Sequence, residues 1–140
     1  MTYLLDTNVV SEVRRLRPDP AVGAWVRGTD DSQLYLSVLV VGEVRAGVER
    51  LRSRDPAQSA SLEEWLETLI EGFGDRVLDV TSVIAETWGR LRANASLPVV
   101  DSLLAATALV HGLVLVTRDT STAERTGVPF LDPWQSHPAP

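Results

Sequence analysis

Met1-Thr2-Tyr3-Leu4-Leu5-Asp6-Thr7-Asn8-Val9-Val10-Ser11 opens the chain, and its reading decides the fold. Tyr3, Leu4 and Leu5 make a short apolar run that stops at a carboxylate. Val9, Val10, Val13 and Leu16 then recur at helical spacing. This is the pattern of a buried strand that delivers Asp6 to its C-terminal end and passes straight into a helix. In open α/β sheets, ligands collect beyond that end of the strands. If Asp6 belongs to a site, other acids should reach the same edge. Glu43, Asp101 and Asp119 are placed to do so, just past other strands or on helices that face the edge.

Outward from this stretch, strands and helices alternate. Pro18 and Pro20 are expected to end the first helix. Ala21, Val22, Trp25 and Val26 suggest a second one, stopped by Gly28. Leu34-Tyr35-Leu36 reads as the second strand, and Ser37 as the cap of a helix from Val38 to about Arg54. Asp55-Pro56 breaks that helix. Ala57 to Phe73 is amphipathic, with Leu62, Trp65, Leu66, Leu69, Ile70 and Phe73 along one face. Val77 to Val80 reads as a short strand, and Thr81 or Ser82 as the cap of the next helix. Asn94 to Pro98 reads as a loop. Ser102 to His111 is a strongly apolar helix that Gly112 ends. Leu113 to Val116 is the clearest buried strand, Thr120 to Thr126 a short helix, and Gly127 to Leu131 a last strand. The alternation predicts a parallel sheet covered on both faces. A single domain over residues 1–134 is expected, with 135–140 as a short C-terminal tail.

Composition narrows the chemistry. A chain of 140 residues suits one core, and 44% hydrophobic with 23% charged residues is ordinary for a soluble globular protein. There is no cysteine and only two histidines, His111 and His137. Thiolate metal sites are therefore excluded, and a metal held mainly by histidine is disfavoured. Any metal would rest on carboxylates, which suit Mg²⁺ or Mn²⁺. All 13 basic residues are Arg, which reflects either phosphate recognition or simply genome base composition. The net charge of −6 disfavours a tight non-specific nucleic-acid binder. It does not disfavour a nuclease, because bound cations change the local charge. No targeting segment or membrane span is expected, since the longest apolar stretch, Val99 to Thr117, contains Asp101, His111 and Gly112. The expected location is cytoplasmic.

Each acid also has an ordinary explanation. Asp6, Asp101 and Asp119 stand at or near the start of a helix or turn, where Asp caps free N–H groups. Glu43 is different, because Leu39, Val40, Ala46 and Gly47 three and four positions away place it on an apolar, inward face. A buried carboxylate there needs an Arg or a cation. Gly42 and Gly47 beside it would admit another backbone. Four such acids fit a nest for one or two divalent cations, which activate water and clamp phosphoryl oxygens. Asn8, Ser37 and Thr117 lie next to the acids, either to orient carboxylates or to cap helices. His111 reads as a helix-end histidine. Trp25, Trp65, Trp88 and Trp134 read mostly as packing residues.

Four segments then carry a family resemblance. They are Asp6-Thr7-Asn8-Val9-Val10-Ser11-Glu12, Ser37 to Gly47 with Gly42-Glu43-Val44-Arg45, Leu97-Pro98-Val99-Val100-Asp101-Ser102 running on to Ala108, and Leu115-Val116-Thr117-Arg118-Asp119. Together they resemble the four acidic motifs of PIN-domain ribonucleases, and more narrowly the VapC toxins of the FitB-like branch of bacterial toxin–antitoxin pairs. The resemblance runs nearly the whole chain, to Pro133-Trp134. It implies an α/β class and a PIN-like three-layer α/β/α sandwich on a central parallel sheet. It implies Mg²⁺ or Mn²⁺ held by Asp6, Glu43, Asp101 and Asp119, endonucleolytic cleavage of RNA, a homodimer, and neutralisation by a cognate VapB-type antitoxin. The chain departs from the pattern at Thr122 and Ala123, where many relatives carry Asp-Phe.

The expected chemistry is attack of a metal-activated water on a phosphodiester, leaving a 5′-phosphate. Asp101 is a candidate proton acceptor. Arg118, beside the site, is the foremost candidate for touching phosphate, with Arg45, Arg50, Arg52 and Arg54 behind it. A cationic side chain from a partner entering the acid nest would switch the enzyme off. Two other phosphotransferase classes fit less well. A haloacid-dehalogenase-like phosphatase wants an acid at position 8, which is Asn. A response-regulator receiver wants a Lys, and there is none. The remaining alternative is a PIN-like module that binds RNA or a partner without cutting.

Overall fold

The computed structural model describes residues 1–135. All but the first residue of the expected 135–140 tail, and His137 with it, lie outside them. β1 (Tyr3–Leu5) is the central strand of a five-stranded sheet with β2 (Leu34–Ser37), β3 (Val77–Leu78), β4 (Val114–Val116) and β5 (Phe130–Leu131). The order is β3-β2-β1-β4-β5, and every pairing is parallel. Tyr3 stands opposite Leu34 on one side and Val114 on the other. Leu4, Leu36 and Val116 are fully buried, as a sheet covered on both faces requires.

The helices are α1 (Thr7–Arg14), α2 (Pro20–Arg27), α3 (Val38–Leu51), α4 (Pro56–Phe73), α5 (Ser82–Arg92), α6 (Val99–His111) and α7 (Ser121–Thr126). α1 packs on α2 and α3, and α3 packs on α4. In a second group, α6 packs on β1, β4, α5 and α7. Two helical groups thus enclose one sheet. The core joins Leu4, Leu36, Val40, Leu66 and Leu104. No helix among the described residues is long and apolar enough to cross a membrane.

Local chemistry explains the element ends. Ser37 Oγ accepts from Leu39 N and caps α3. Thr81 caps α5 through Ile84 N. Gly112 ends α6 with a φ of 67°, a left-handed conformation that only glycine adopts cheaply. One expectation needs correcting. α1 ends at Arg14, because Arg15 is already extended. Pro20 does not end that helix but opens α2, where its missing N–H costs nothing. Other differences are small. The last strand is two residues rather than five, and α6 begins at Val99 rather than Ser102. Thr122 and Ala123, the departures from the family pattern, are both buried in α7.

α3 and α4 are stitched by a buried hydroxyl. Ser59 Oγ donates to the Val48 carbonyl at 2.8 Å, and Ser59 is 2% exposed. Ser59→Ala should cost about 1 kcal/mol. Thermal unfolding should show a fall of roughly 2–5 °C, and an unchanged midpoint would mean that the helical carbonyl needs no second donor.

Beside α1, α2 and α4 lies an apolar groove of about 320 Å³, lined in part by Val10, Val13, Val26, Trp65, Leu69 and Phe73.

Candidate active site

β1 ends at Leu5, and the next residue carries the first acid to the sheet edge. Asp6 is the N-cap of α1. Its Oδ1 accepts from the Thr7 backbone N–H at 2.7 Å, and its Oδ2 accepts from the Thr117 hydroxyl at 2.7 Å. Thr117 is the residue after β4, the strand paired beside β1. Adjacent parallel strands therefore bring positions 6 and 117 together from opposite ends of the chain. Thr117 is 1% exposed, so its hydroxyl holds the carboxylate from below in a fixed direction.

Asp101 sits in the first turn of α6 and makes no capping hydrogen bond. The capping explanation therefore fails for it. It survives for Asp119, whose Oδ1 accepts from both the backbone N–H and the hydroxyl of Ser121. Asp119 also remains exposed at the site's rim.

Electrostatics tie the acids together. Burial holds the Asp6 carboxyl above its usual range, and the charges of Asp101 and Glu43 push it the same way against the lowering effect of its two hydrogen bonds. Asp101 is raised by burial, then by Asp119 and Glu43. Asp101 and Glu43 thus act on Asp6, and Asp119 and Glu43 on Asp101. No cation from the protein is bonded to any of them among the described residues.

Glu43 corrects one expectation. It is exposed, while Gly42 and the rest of its surroundings give it no buried pocket. The buried stripe of α3 is Val40, Val44 and Val48, and residue 43 lies about 100° around the helix from residue 44. The side chain flanks the core rather than entering it. Nor does another backbone approach either glycine. Nothing lies within 4 Å of a Cβ built at Gly42, and at Gly47 the near atom belongs to the Leu62 side chain. Glu43 instead accepts from the Thr7 hydroxyl at 2.7 Å. The sequence gives no sign of Thr7 as a site residue beyond its adjacency to Asp6.

The other candidates divide. Thr117 does orient an acid. Ser37 is buried and serves α3 as a cap, with no bond to the four acids. Asn8 makes none either, and its Oδ1 is a buried acceptor without a partner among the described residues. Arg118 is exposed and turns to Trp134, its guanidinium carbon 5.0 Å from the ring centroid. Arg45 and Arg52, candidates behind Arg118, are engaged by Glu49 and Glu63 and so are not free for phosphate. His111 is an exposed residue in the last turn of α6. Trp25 packs edge-on against Tyr3, and Trp88 donates to Ser102 Oγ.

Oxygen donors under mutual repulsion fit a hard divalent cation. As the side chains lie, no three acids of the described residues form a chelating cluster; Glu43 is held at Thr7, and turning from that hydroxyl would free both its oxygens. Thr117→Val removes the donor that fixes Asp6. We expect cation affinity or cleavage to fall about 10-fold or more, with Thr117→Ser retaining both. Isothermal titration with Mn²⁺ reads the first directly, and an unchanged affinity in Thr117→Val would remove Thr117 from the site.

Comparison with known proteins agrees with this fold. The family model described as PIN domain matches residues 3–128. The chain is 33% identical over 136 residues to the VapC ribonuclease Y4jK of Sinorhizobium fredii, covering 94% of this chain and 97% of the relative. It is 34% identical over 137 residues to the toxin FitB of Neisseria gonorrhoeae, with the same two shares covered. The crystal structure of FitAcB from Neisseria gonorrhoeae superposes with a TM-score of 0.89 at 32% identity, over 96% of this chain and 100% of the matched one.

Proposed function

The chain belongs to the PIN-domain family, in its branch of VapC- and FitB-type toxin ribonucleases, and on that premise we propose that it cuts RNA internally with a divalent cation at Asp6, Glu43, Asp101 and Asp119. It acts as the toxin of a toxin–antitoxin pair. The observation that carries the metal reading is that burial raises Asp6 and Asp101 together, with Glu43 adding to both, Asp101 to Asp6 and Asp119 to Asp101.

Asp6 is the fixed member, held between Thr7 N–H and the Thr117 hydroxyl. Glu43 approaches from α3 and Asp119 from the end of β4. When bound, Mg²⁺ or Mn²⁺ acidifies a water and offsets charge on the phosphodiester. Asp101 is the carboxylate best suited to take the proton. It has no capping hydrogen bond to give up.

The partner is a VapB-type antitoxin. The groove beside α1, α2 and α4 offers it an apolar seat, since exposed apolar surface of this kind marks an interaction site. An amphipathic helix is the element that fills such a groove. A second copy of the chain makes the homodimer. Val83 on α5 and Val99 and Val110 on α6 are exposed and supply an apolar surface for it.

The test is cleavage of end-labelled total RNA by the purified chain with Mn²⁺, with Mg²⁺ and with EDTA, with the cut sites mapped. Metal-dependent cuts bearing 5′-phosphates are expected. Metal binding without cuts would leave a module that binds without cutting.

A further inference from the structure

A second polar feature adjoins the acids without belonging to them. A cleft of about 420 Å³ opens between the α1–α2 connection and the chain after β4, with Arg15, Arg17, Arg118 and Trp134 on its walls. Glu12 and Asp19 also line it, but both are committed to the backbone. Glu12 is 7% exposed and accepts from Asp19 N at 2.9 Å. Asp19 accepts from Ala21 N and Val22 N at the start of α2. These carboxylates staple the connection that presents Arg15 and Arg17. Arg15 reaches Glu12 at 3.3 Å. Among the described residues no carboxylate lies within 4 Å of Arg17 or Arg118. Glu12 thus divides its oxygens between the Asp19 N–H and Arg15, while Arg17 and Arg118 have no carboxylate partner among the described residues, and the cleft keeps a cationic excess.

The position gives the cleft its meaning. Arg118 lies between Thr117, which holds Asp6, and Asp119. α1 is capped by Asp6 and ends beside the cleft, a span of about 12 Å for its helical rise. RNA running out of the acid site would meet the cleft within a few nucleotides. The chain as a whole carries −6 and repels RNA at long range, so a local cationic cleft has to supply the grip. The chemistry is suited to single strands. Arginines take phosphate oxygens in pairs, while bases stack on aromatic rings and on guanidinium planes.

We propose that this cleft is a strand-holding subsite for single-stranded RNA, with Arg17 on a phosphate flanking the cut, the exposed Arg15 turning from Glu12 to a neighbouring phosphate, and a base stacked on the Arg118–Trp134 pair. It rests on the ribonuclease reading, but it can be tested without cleavage. Asp6→Asn keeps the RNA intact while the cleft is varied. Fluorescence anisotropy with a short labelled single-stranded RNA, over a range of salt, measures affinity and its salt slope. Adding Arg15→Ala and Arg17→Ala should weaken binding about 10-fold and reduce the slope by about 1.4, or about 0.7 for each phosphate no longer neutralised. Trp134→Leu should weaken binding roughly fivefold or more with the slope unchanged, and Trp134→Phe should hold the affinity. Arg15→Lys with Arg17→Lys controls for folding, since it keeps the charges and should keep the slope. Unchanged affinity and slope in the double Ala variant would overturn the subsite, as would equal losses in the Ala and Lys pairs. The two readings fail separately. A chain that cleaves but binds RNA independently of the cleft loses only the subsite. A chain that never cleaves but loses salt-dependent binding with these arginines loses only the nuclease.

Discussion

Asp6→Asn should lower metal-dependent RNA cleavage by roughly a thousandfold or more while leaving the fold in place. A factor of that size corresponds to about 4 kcal/mol of lost transition-state stabilisation. Replacing the best-fixed of four carboxylates asks that much of the site. The substitution changes the charge and almost nothing of the shape. Asn can still accept from Thr7 N–H through its Oδ1. Its amide would then face the Thr117 oxygen, and the Thr117 hydroxyl has a second acceptor in the Asp119 carbonyl at 3.3 Å. The capping of α1 is therefore kept, and loss of activity reports on the charge alone. The check is kcat/KM on a mapped substrate beside a thermal melt, with Asp79→Asn, an exposed acid outside the site, as the control. A loss of less than tenfold with a normal melt would mean that Asp6 is a cap and that the nuclease centre lies elsewhere.

The sheet edge can be read from residues because its determinants are local. Tyr3-Leu4-Leu5 is apolar without alternation, as in a strand buried on both faces, and Asp6 interrupts it where the helix must start. The same logic reaches Asp119 after β4. It fails where the deciding partner is distant in sequence. Arg45 and Arg52 look available for phosphate until Glu63 arrives from α4. The bond from Thr7 to Glu43 spans 36 residues and joins two helices. Glu43 itself is misplaced by its neighbours. Leu39, Ala46 and Gly47 are apolar or small but only partly buried, so they mark the margin of the buried stripe rather than its centre. That margin is where a carboxylate can face the sheet edge while staying in water. The cleft at Arg118 is half visible. Arg118 stands out beside Asp119, but the contributions of Arg15, Arg17 and Trp134 depend on how three distant segments meet.

The second large effect concerns stability without and with the cation. Burial and like charges raise Asp6 and Asp101 in the folded chain. Between the unfolded value of 3.8 and the raised folded values, the native state binds more protons than the unfolded chain. Stability of the EDTA-treated protein should therefore fall as pH rises through that window, and recover as the acids are protonated again. Glu49 and Glu63 contribute in the opposite direction, because hydrogen bonds from Arg52 and Arg45 lower them. Both are exposed to solvent screening, and the difference between wild type and Asp101→Asn cancels them. At neutral pH Asp101→Asn removes one repelling charge that has no capping hydrogen bond to lose, and should raise the metal-free melting temperature by roughly 2–5 °C. Mn²⁺ should do the reverse to the ranking. At a concentration about 100-fold above its Kd, a cation that binds only the folded wild type adds about 2.7 kcal/mol, or roughly 10 °C. In Asp101→Asn the increment should shrink to a small fraction of that. Differential scanning calorimetry of the two chains, with EDTA and with Mn²⁺, checks both halves at once. A mutant that is less stable without metal, or that gains as much from Mn²⁺ as the wild type, would show Asp101 to be a structural residue rather than one of a set of mutually repelling acids held together by an ion.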